Sequence, residues 1–377
     1  MAIHYTYGGS VAGRLLQCPA YLKACEPLVK VQTSNAYAER GTNLHNIQEH
    51  LRLMGLSPGD INIAAMYPDL DEDELEDYIS TTELVYNWCE DILDKYNIDM
   101  IIPEPLVKAG VDVGGSIDIL GYNNEYALVL DYKMGHVTVK AQDNAQGLFY
   151  HWATRLDDRY SKYVEGKKLI FVILQPSQQK PAIWEIPDGR LDQFEIDYIN
   201  AMELSKSDDP PFGAGDYCQF CGNLPYCEKQ KSYAQRALDI PPKQKQSLSE
   251  SLTLMFKLKS WMNAVMKEAE SVMQAGESVK GYKLVNKQAR RSWLHQKEVI
   301  QKVMELDDND RYFEPAKLIS PAKMDKLKNI PDELQEVFDN HIVKQSSGTT
   351  VAPDSDRREA VQVGVTDELK NLVKNKK

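Results

Sequence analysis

Hydrophobic and polar positions change period several times along the chain, and each change predicts an element. Over residues 10–55 the apolar positions follow helical spacing. Leu15, Leu16, Tyr21 and Leu22 open the stretch, and Leu44, Ile47 and Leu51 mark a second helix over 35–53. Ser57, Pro58 and Gly59 predict a turn. Residues 69–77 hold seven acids in nine positions, which reads as a solvated loop or first helical turn. The helix after it, over 75–96, places Leu84, Trp88 and Ile92 on one face. Residues 100–133 are β-branched and alternate, predicting strands near 101–108, 115–122 and 126–132, the last two joined by a tight turn at Asn123 and Asn124. A helix over 141–157 follows, with Ala145, Leu148, Phe149 and Trp152 as its apolar positions. Residues 167–176 form an apolar run closed by Pro176, the pattern of a buried central strand. Trp184 and Ile186 mark a short partner strand, and a helix over 189–205 completes this part.

Beyond it, residues 208–232 are a loop-rich cysteine segment. Pro241 and Pro242 mark a linker. A helix is predicted over 247–274, a short β-like stretch over 281–294, and a helical region of mixed charge over 296–343. The polar tail from Ser346 reads as loosely ordered. The expected organisation is a domain over 1–235, a helical, locally basic domain over 245–345, and a flexible tail over 346–377. A length of 377 residues suits two domains of roughly 150 residues each, perhaps three. The net charge of −12 excludes a uniformly basic nucleic-acid coat, but not a local basic groove. No apolar run reaches the ~18 residues of a membrane helix, and the first residues lack the basic start and apolar stretch of a signal peptide. The expectation is a cytosolic protein whose six cysteines are reduced or metal-bound.

Candidate chemistry lies on the β segment. Asp118 sits on the second predicted strand, and Asp131 ends the third. Lys133 follows Asp131 by two residues, so the two side chains share a strand face. If the tight turn makes the strands neighbours, Asp118 and Asp131 converge on one divalent cation, with the backbone carbonyl of Tyr132 as a further oxygen ligand. Such hard oxygen ligands suit Mg²⁺ or Mn²⁺. A cation there activates water and stabilises charge on a phosphodiester, and Lys133 orients that water or offsets the developing charge. Glu104, on the first strand, is a further carboxylate behind or beside the metal. His45 lies on an early helix. Gln146 and Tyr150 stand four apart on the helix after the Asp-x-Lys strand and share its face.

The order His45, Asp118, Asp131-x-Lys133, Gln146-x-x-x-Tyr150 resembles the RecB-like branch of the PD-(D/E)xK nucleases. The resemblance implies a restriction-endonuclease-like α/β core, a mixed sheet flanked by helices. It implies that His45, Asp118 and Asp131 bind metal, that Lys133 is catalytic, and that Gln146 and Tyr150 position the scissile strand or order the site. Asp131 stands where many relatives have Glu, which leaves rate and metal preference in question. Cys218-x2-Cys221-x5-Cys227 is a compact soft-ligand group, and spacing alone leaves zinc and iron–sulfur open. Relatives of the AddB and CRISPR-adaptation type carry one cysteine before the core and three after it around a [4Fe–4S] cluster. By that likeness the set is Cys18, Cys218, Cys221 and Cys227, with Cys25 as the rival for the first place. Cys89, beside Trp88, reads as a small core residue. Residues 10–360 resemble a phage-associated family of such nucleases, a likeness carried further by GYKLV, RRSW, LISPAKM and VAPDSDRREAV.

Between Phe256 and Lys297 there are nine basic residues, among them Lys257, Arg290, Arg291 and Lys297, and three acids. Trp261, Tyr282 and Trp293 interleave them, placed either to stack on bases or to pack in a core. Arg290 and Arg291 are the expected phosphate contacts. The function expected from all this is a metal-dependent DNA exonuclease acting from ends, 5′→3′ by analogy with relatives, in phage recombination, repair or replication within the infected host's cytosol. A phage single-strand-binding or annealing protein is the expected partner beside DNA. The alternatives are a structure-specific endonuclease on the same fold, and a non-catalytic iron–sulfur DNA-binding subunit.

Overall fold

A computed structural model of the protein describes residues 5–26, 36–238, 245–307, 310–314, 317–346 and 348–361. The chain divides into two units, 1–258 and 259–377. The expected linker prolines, Pro241 and Pro242, and the tail beyond residue 361 lie outside the described residues. The boundary between units falls inside a helix rather than at that linker.

The first unit runs α1 (Gly9–Gln17), α2 (Tyr21–Cys25), α3 (Ala36–Met54), α4 (Ile63–Met66), α5 (Glu72–Lys95), β1 (Met100–Pro103), β2 (Leu106–Gly110), β3 (Val113–Ser116), β4 (Ile119–Tyr122), β5 (Tyr126–Tyr132), α6 (Ala145–Leu156), β6 (Lys168–Leu174), β7 (Ala182–Ile186), α7 (Arg190–Ser205) and α8 (Glu228–Leu238). A long helix, α9 (Lys245–Gln274), spans the boundary. The central sheet has the order β1-β4-β5-β6-β7. Only β5 and β6 are parallel; the other neighbours are antiparallel, so the sheet is mixed. The parallel pair needs a crossover, and α6 supplies it.

Strand alternation sorts the core into two layers. Ala127 and Val129 of β5 and Phe171 and Ile173 of β6 face the layer that holds Leu15 of α1, Phe149 and Trp152 of α6, and Phe194 and Tyr198 of α7. Leu128, Leu130, Ile170 and Val172 face the opposite layer, with Leu44, Ile47 and Leu51 of α3 and Val85, Cys89 and Ile92 of α5. Cys89 is thus a core residue, and Leu84 is exposed instead of inward as its spacing suggested. Asp71 caps α5 in a reciprocal capping box with Glu74, so part of the acidic run opens a helix. Asn144 caps α6 by accepting from the N–H groups of Gln146 and Gly147, which starts that helix later than its apolar pattern implied. Gly147 lets α6 press on the sheet, because a Cβ there would stand 2.4 Å from the Phe171 ring.

Two expected strands break in the middle. The 101–108 strand divides into β1 and β2 at Glu104 and Pro105, and the 115–122 strand into β3 and β4 at Ile117 and Asp118. Glu104 sits in left-handed backbone (φ 51°), which no strand accommodates, and Pro105 has no N–H for a ladder. The two breaks meet: Glu104 N–H donates to Asp118 O at 3.0 Å, and Ile117 N–H to Pro105 O at 3.2 Å. The hairpin from β4 to β5 forms as expected, with Asn123 Oδ1 accepting from the N–H groups of Glu125 and Tyr126.

The second unit contains β8 (Tyr282–Asn286), β9 (Arg290–Trp293), α10 (Gln296–Leu306), β10 (Phe313–Glu314), β11 (Lys317–Leu318), α11 (Pro321–Met324), α12 (Asp332–His341), β12 (Ile342–Gln345) and β13 (Thr349–Pro353). β8 and β9 fall in the β-like stretch expected over 281–294, whereas the reading of the rest of 245–345 as helical needs correcting, since β10 and β11 interrupt the 296–343 region. β8 pairs with β13 and β9 with β12, both antiparallel. The tail expected to be loose from Ser346 therefore contributes a paired strand. Val299, Val303, Tyr312, Leu334 and Phe338 form this unit's core.

Candidate active site and cysteine pocket

The two strand breaks place carboxylates where ladder hydrogen bonds would otherwise run. Asp118 Oδ2 accepts from the N–H of Tyr132 at 2.6 Å. Its Oδ1 lies 3.9 Å from Nε2 of His45, which α3 brings over this end of the sheet. One ligand atom each of His45, Glu104 and Asp118 lies within 4.8 Å of the others. Glu104 Oε2 accepts from Ser116 Oγ at 3.0 Å, whereas its Oε1 is buried without a hydrogen-bond partner. Glu104 is therefore in the ligand group itself. Asp131 stands beside that group and is held from α6 and from its own strand. Lys133 Nζ lies 2.7 Å from its Oδ2, and Gln146 Nε2 donates to its Oδ1 at 3.0 Å. The same Gln146 amide donates to Tyr150 Oη at 3.1 Å, and the Tyr150 ring packs where Gly9 leaves room; a Cβ there would come within 2.9 Å of it.

Burial governs the protonation of this cluster. It drives the Asp118 carboxyl well above the ordinary range, and the neighbouring Asp131 charge pushes the same way. Asp131 is also raised by burial, against the pull of Lys133. Burial lifts Glu104 to about 7 and lowers His45, which favours a neutral imidazole able to ligate. Three crowded carboxyls can ionise together only beside a positive charge. The orphaned Glu104 oxygen, the Asp118 carboxylate and one imidazole fit a divalent cation of the Mg²⁺ or Mn²⁺ kind; Asp131, expected as a ligand, is instead held by Lys133 and Gln146 beside the group. Sequence spacing did not single out Glu49, one helical turn after His45, although its charge bears on both His45 and Glu104. The i,i+4 spacing was the available signal.

A second constellation lies between α1, α2 and the segment after α7. Lys23 Nζ donates to Asp208 O at 2.5 Å, Ala20 N–H to Pro211 O at 3.2 Å and Tyr217 Oη to Gln17 O at 3.2 Å. Cys18, Cys218, Cys221 and Cys227 line one pocket there, with Tyr21 and Tyr217 among its walls. Cys18, Cys218 and Cys227 are buried. Burial raises the Cys18 thiol, and Cys227 and Cys218 add to the rise. Four thiols lining one pocket without carboxylate or imidazole are donors of the kind a soft metal or an iron–sulfur cluster takes, although no three of these sulfurs lie within 4.8 Å of one another. Cys25 lies outside this lining set but touches it through Cys221, the two sulfurs being 3.8 Å apart.

In the second unit Arg291 is engaged by Asp325 through both guanidinium nitrogens, while Arg290 is exposed. Trp293 packs on Phe338 and donates through Nε1 to Ile319 O at 2.8 Å, so it serves the core. Tyr282 is exposed. The side chains of Lys257 and Lys297 lie outside the described residues.

No helix among the described residues is long and apolar enough to cross a membrane. Residues 4–359 match the model of a family described as "Protein of unknown function (DUF2800)". No curated protein matches the chain. A solved structure described as "Crystal structure of SSO0001" is similar over 49% of this chain and 94% of its own, at 13% identity and a TM-score of 0.24, a likeness too low to carry an argument.

Proposed function

The chain belongs to the DUF2800 family, and we propose that this member is a divalent-metal-dependent deoxyribonuclease that digests DNA from its ends, built on a RecB-like PD-(D/E)xK core. One observation carries the proposal: the ligand atoms of His45, Glu104 and Asp118 converge within 4.8 Å beside the Asp131–Lys133 pair. Mg²⁺ or Mn²⁺ bound there would polarise a phosphodiester and lower the pKa of an attacking water. Lys133 holds a positive charge at the edge of the group, suited to the negative charge that develops on the phosphate. Gln146 holds Asp131 and Tyr150 in one orientation and so keeps Lys133 aimed. Tyr132 offers its backbone carbonyl as a further oxygen. Cys18, Cys218, Cys221 and Cys227 are the set for a [4Fe–4S] cluster whose role is to staple α1 and α2 to the segment after α7. The 5′→3′ direction, the phage setting and a single-strand-binding or annealing partner follow from the motif resemblance.

The test is digestion of end-labelled DNA by the purified full-length chain with Mn²⁺, Mg²⁺ or EDTA, on linear and circular substrates. Label lost only from linear DNA, and only with metal, is the expected result. Cutting of closed circles would point to an endonuclease on the same site. No digestion under any metal, by folded protein, would leave a DNA-binding subunit.

A further inference from the structure

Four cysteines line the pocket and a fifth touches one of them, one more than a four-thiolate set uses. Cys89, the sixth, is buried in the other core layer. The fifth thiol, Cys25, ends α2 with its sulfur 3.8 Å from that of Cys221. Cys25 and Cys221 are half-buried, whereas Cys18, Cys218 and Cys227 are buried. The two thiols in contact are thus the two that a small oxidant in solution reaches first.

We propose that Cys25 and Cys221 form a reversible disulfide site that competes with cluster loading. The disulfide stands on this contact alone; the competition rests on the reading of Cys221 as a cluster ligand. With hydrogen peroxide as oxidant, the Cys25 thiolate attacks one peroxide oxygen. The O–O bond breaks, hydroxide leaves, and a sulfenic acid remains on Cys25. The Cys221 thiolate then attacks that sulfur and expels the second hydroxide. In sum two thiols and one peroxide give one disulfide and two waters. Closing the sulfurs to the ~2.05 Å of an S–S bond takes less than about 2 Å of movement. The product removes Cys221 from the ligand set and ties α2 to the loop. A dithiol reverses it by exchange.

The full-length chain, stripped of iron by a chelator under reducing conditions, is treated with hydrogen peroxide, alkylated, and digested with trypsin and chymotrypsin. Tyr217, Phe220 and Tyr226 directly precede Cys218, Cys221 and Cys227, so the three cysteines fall in separate peptides. The expected product is a cross-link between the Cys25 and Cys221 peptides. In parallel, oxidised wild type should refuse iron and sulfide until dithiothreitol is added, and Cys25→Ser should accept them after the same peroxide dose. Cys25 left alkylatable while Cys221 bridges to Cys218 or Cys227 overturns the proposal. So does failure of untreated, folded Cys25→Ser to take up iron that wild type takes up, because Cys25 is then a ligand. If untreated wild type takes up no iron yet forms the Cys25–Cys221 link, the ligand-set reading fails and the disulfide site stands.

Discussion

The carboxylate of Asp118 accepts the backbone N–H of Tyr132 at 2.6 Å. The side chain in the break just before β4 thereby takes over a donor next to the position that carries Asp131. Asp118→Asn keeps an oxygen for this bond and removes the charge, so it isolates the electrostatic role. Asp118→Asn and Glu104→Gln should each weaken Mn²⁺ binding by more than the roughly 10–100-fold that loss of a residue merely supporting a ligand costs, and should abolish cleavage, with the thermal midpoint little lowered. Calorimetric titration of Mn²⁺ decides this; wild-type affinity in Glu104→Gln removes Glu104 from the ligand group.

Lys133 touches Asp131 but is not a ligand. Lys133→Met should therefore cost about 10²–10³ in turnover while leaving Mn²⁺ affinity near that of wild type. Single-turnover cleavage alongside the same titration separates the two effects. A parallel loss of metal affinity would assign Lys133 to holding the site together.

The pH dependence follows from Glu104, which burial lifts to about 7 from an ordinary 4.5. Without metal, the folded chain keeps this proton across a range where the unfolded chain has lost it. The stability tied to that proton is complete below 4.5 and is lost as pH rises through about 7. Asp118 and Asp131, also raised, act in the same sense. Thermal midpoints in EDTA should fall across this window, and less steeply in Glu104→Gln. Mn²⁺ requires the ionised carboxylate, so its stabilising effect should grow as pH rises. Identical EDTA profiles for wild type and Glu104→Gln would refute the assignment.

Gly147 tests the seat of α6 on the sheet. A methyl group there meets the Phe171 ring, a group with no room to retreat. Gly147→Ala should cost about 1–3 kcal/mol, read from urea unfolding, although alanine is the better helix former.

The adjacent arginines of β9 should behave differently. Arg291 is committed to Asp325, so Arg291→Glu places like charges together and should destabilise the second unit. Arg290→Glu should weaken DNA binding and reduce its salt slope by about one or more. Unchanged affinity across a salt series would remove Arg290 from the DNA surface.

Much of the first unit was legible because its signals are local. The apolar run of β6, the Asn123 turn and the inward face of α3 follow from neighbouring residues, as does the shared face of Asp131 and Lys133. The breaks at Glu104 and Asp118 were not legible. Alternation continues through both, and only the contact between the two breaks explains the left-handed Glu104 and its place among the ligands. Leu84 faces outward because packing against α3 selects the Val85, Cys89 and Ile92 stripe, one residue round the helix. The pairings of β8 with β13 and β9 with β12 join strands far apart in sequence, and local period does not encode a partner.

The contact between Tyr217 and Gln17 spans 200 positions, and it sets an order of events during biosynthesis. The helix α1 leaves the ribosome long before α6, α7 and the cysteine segment exist to receive it. A nascent chain that has released β6 but not yet Cys227 can have formed the strands around Asp118, Asp131 and Lys133, yet it lacks the full complement of pocket thiols. Closure around α1 is therefore one of the last steps in maturing this unit, and the newborn chain spends most of its synthesis unlatched.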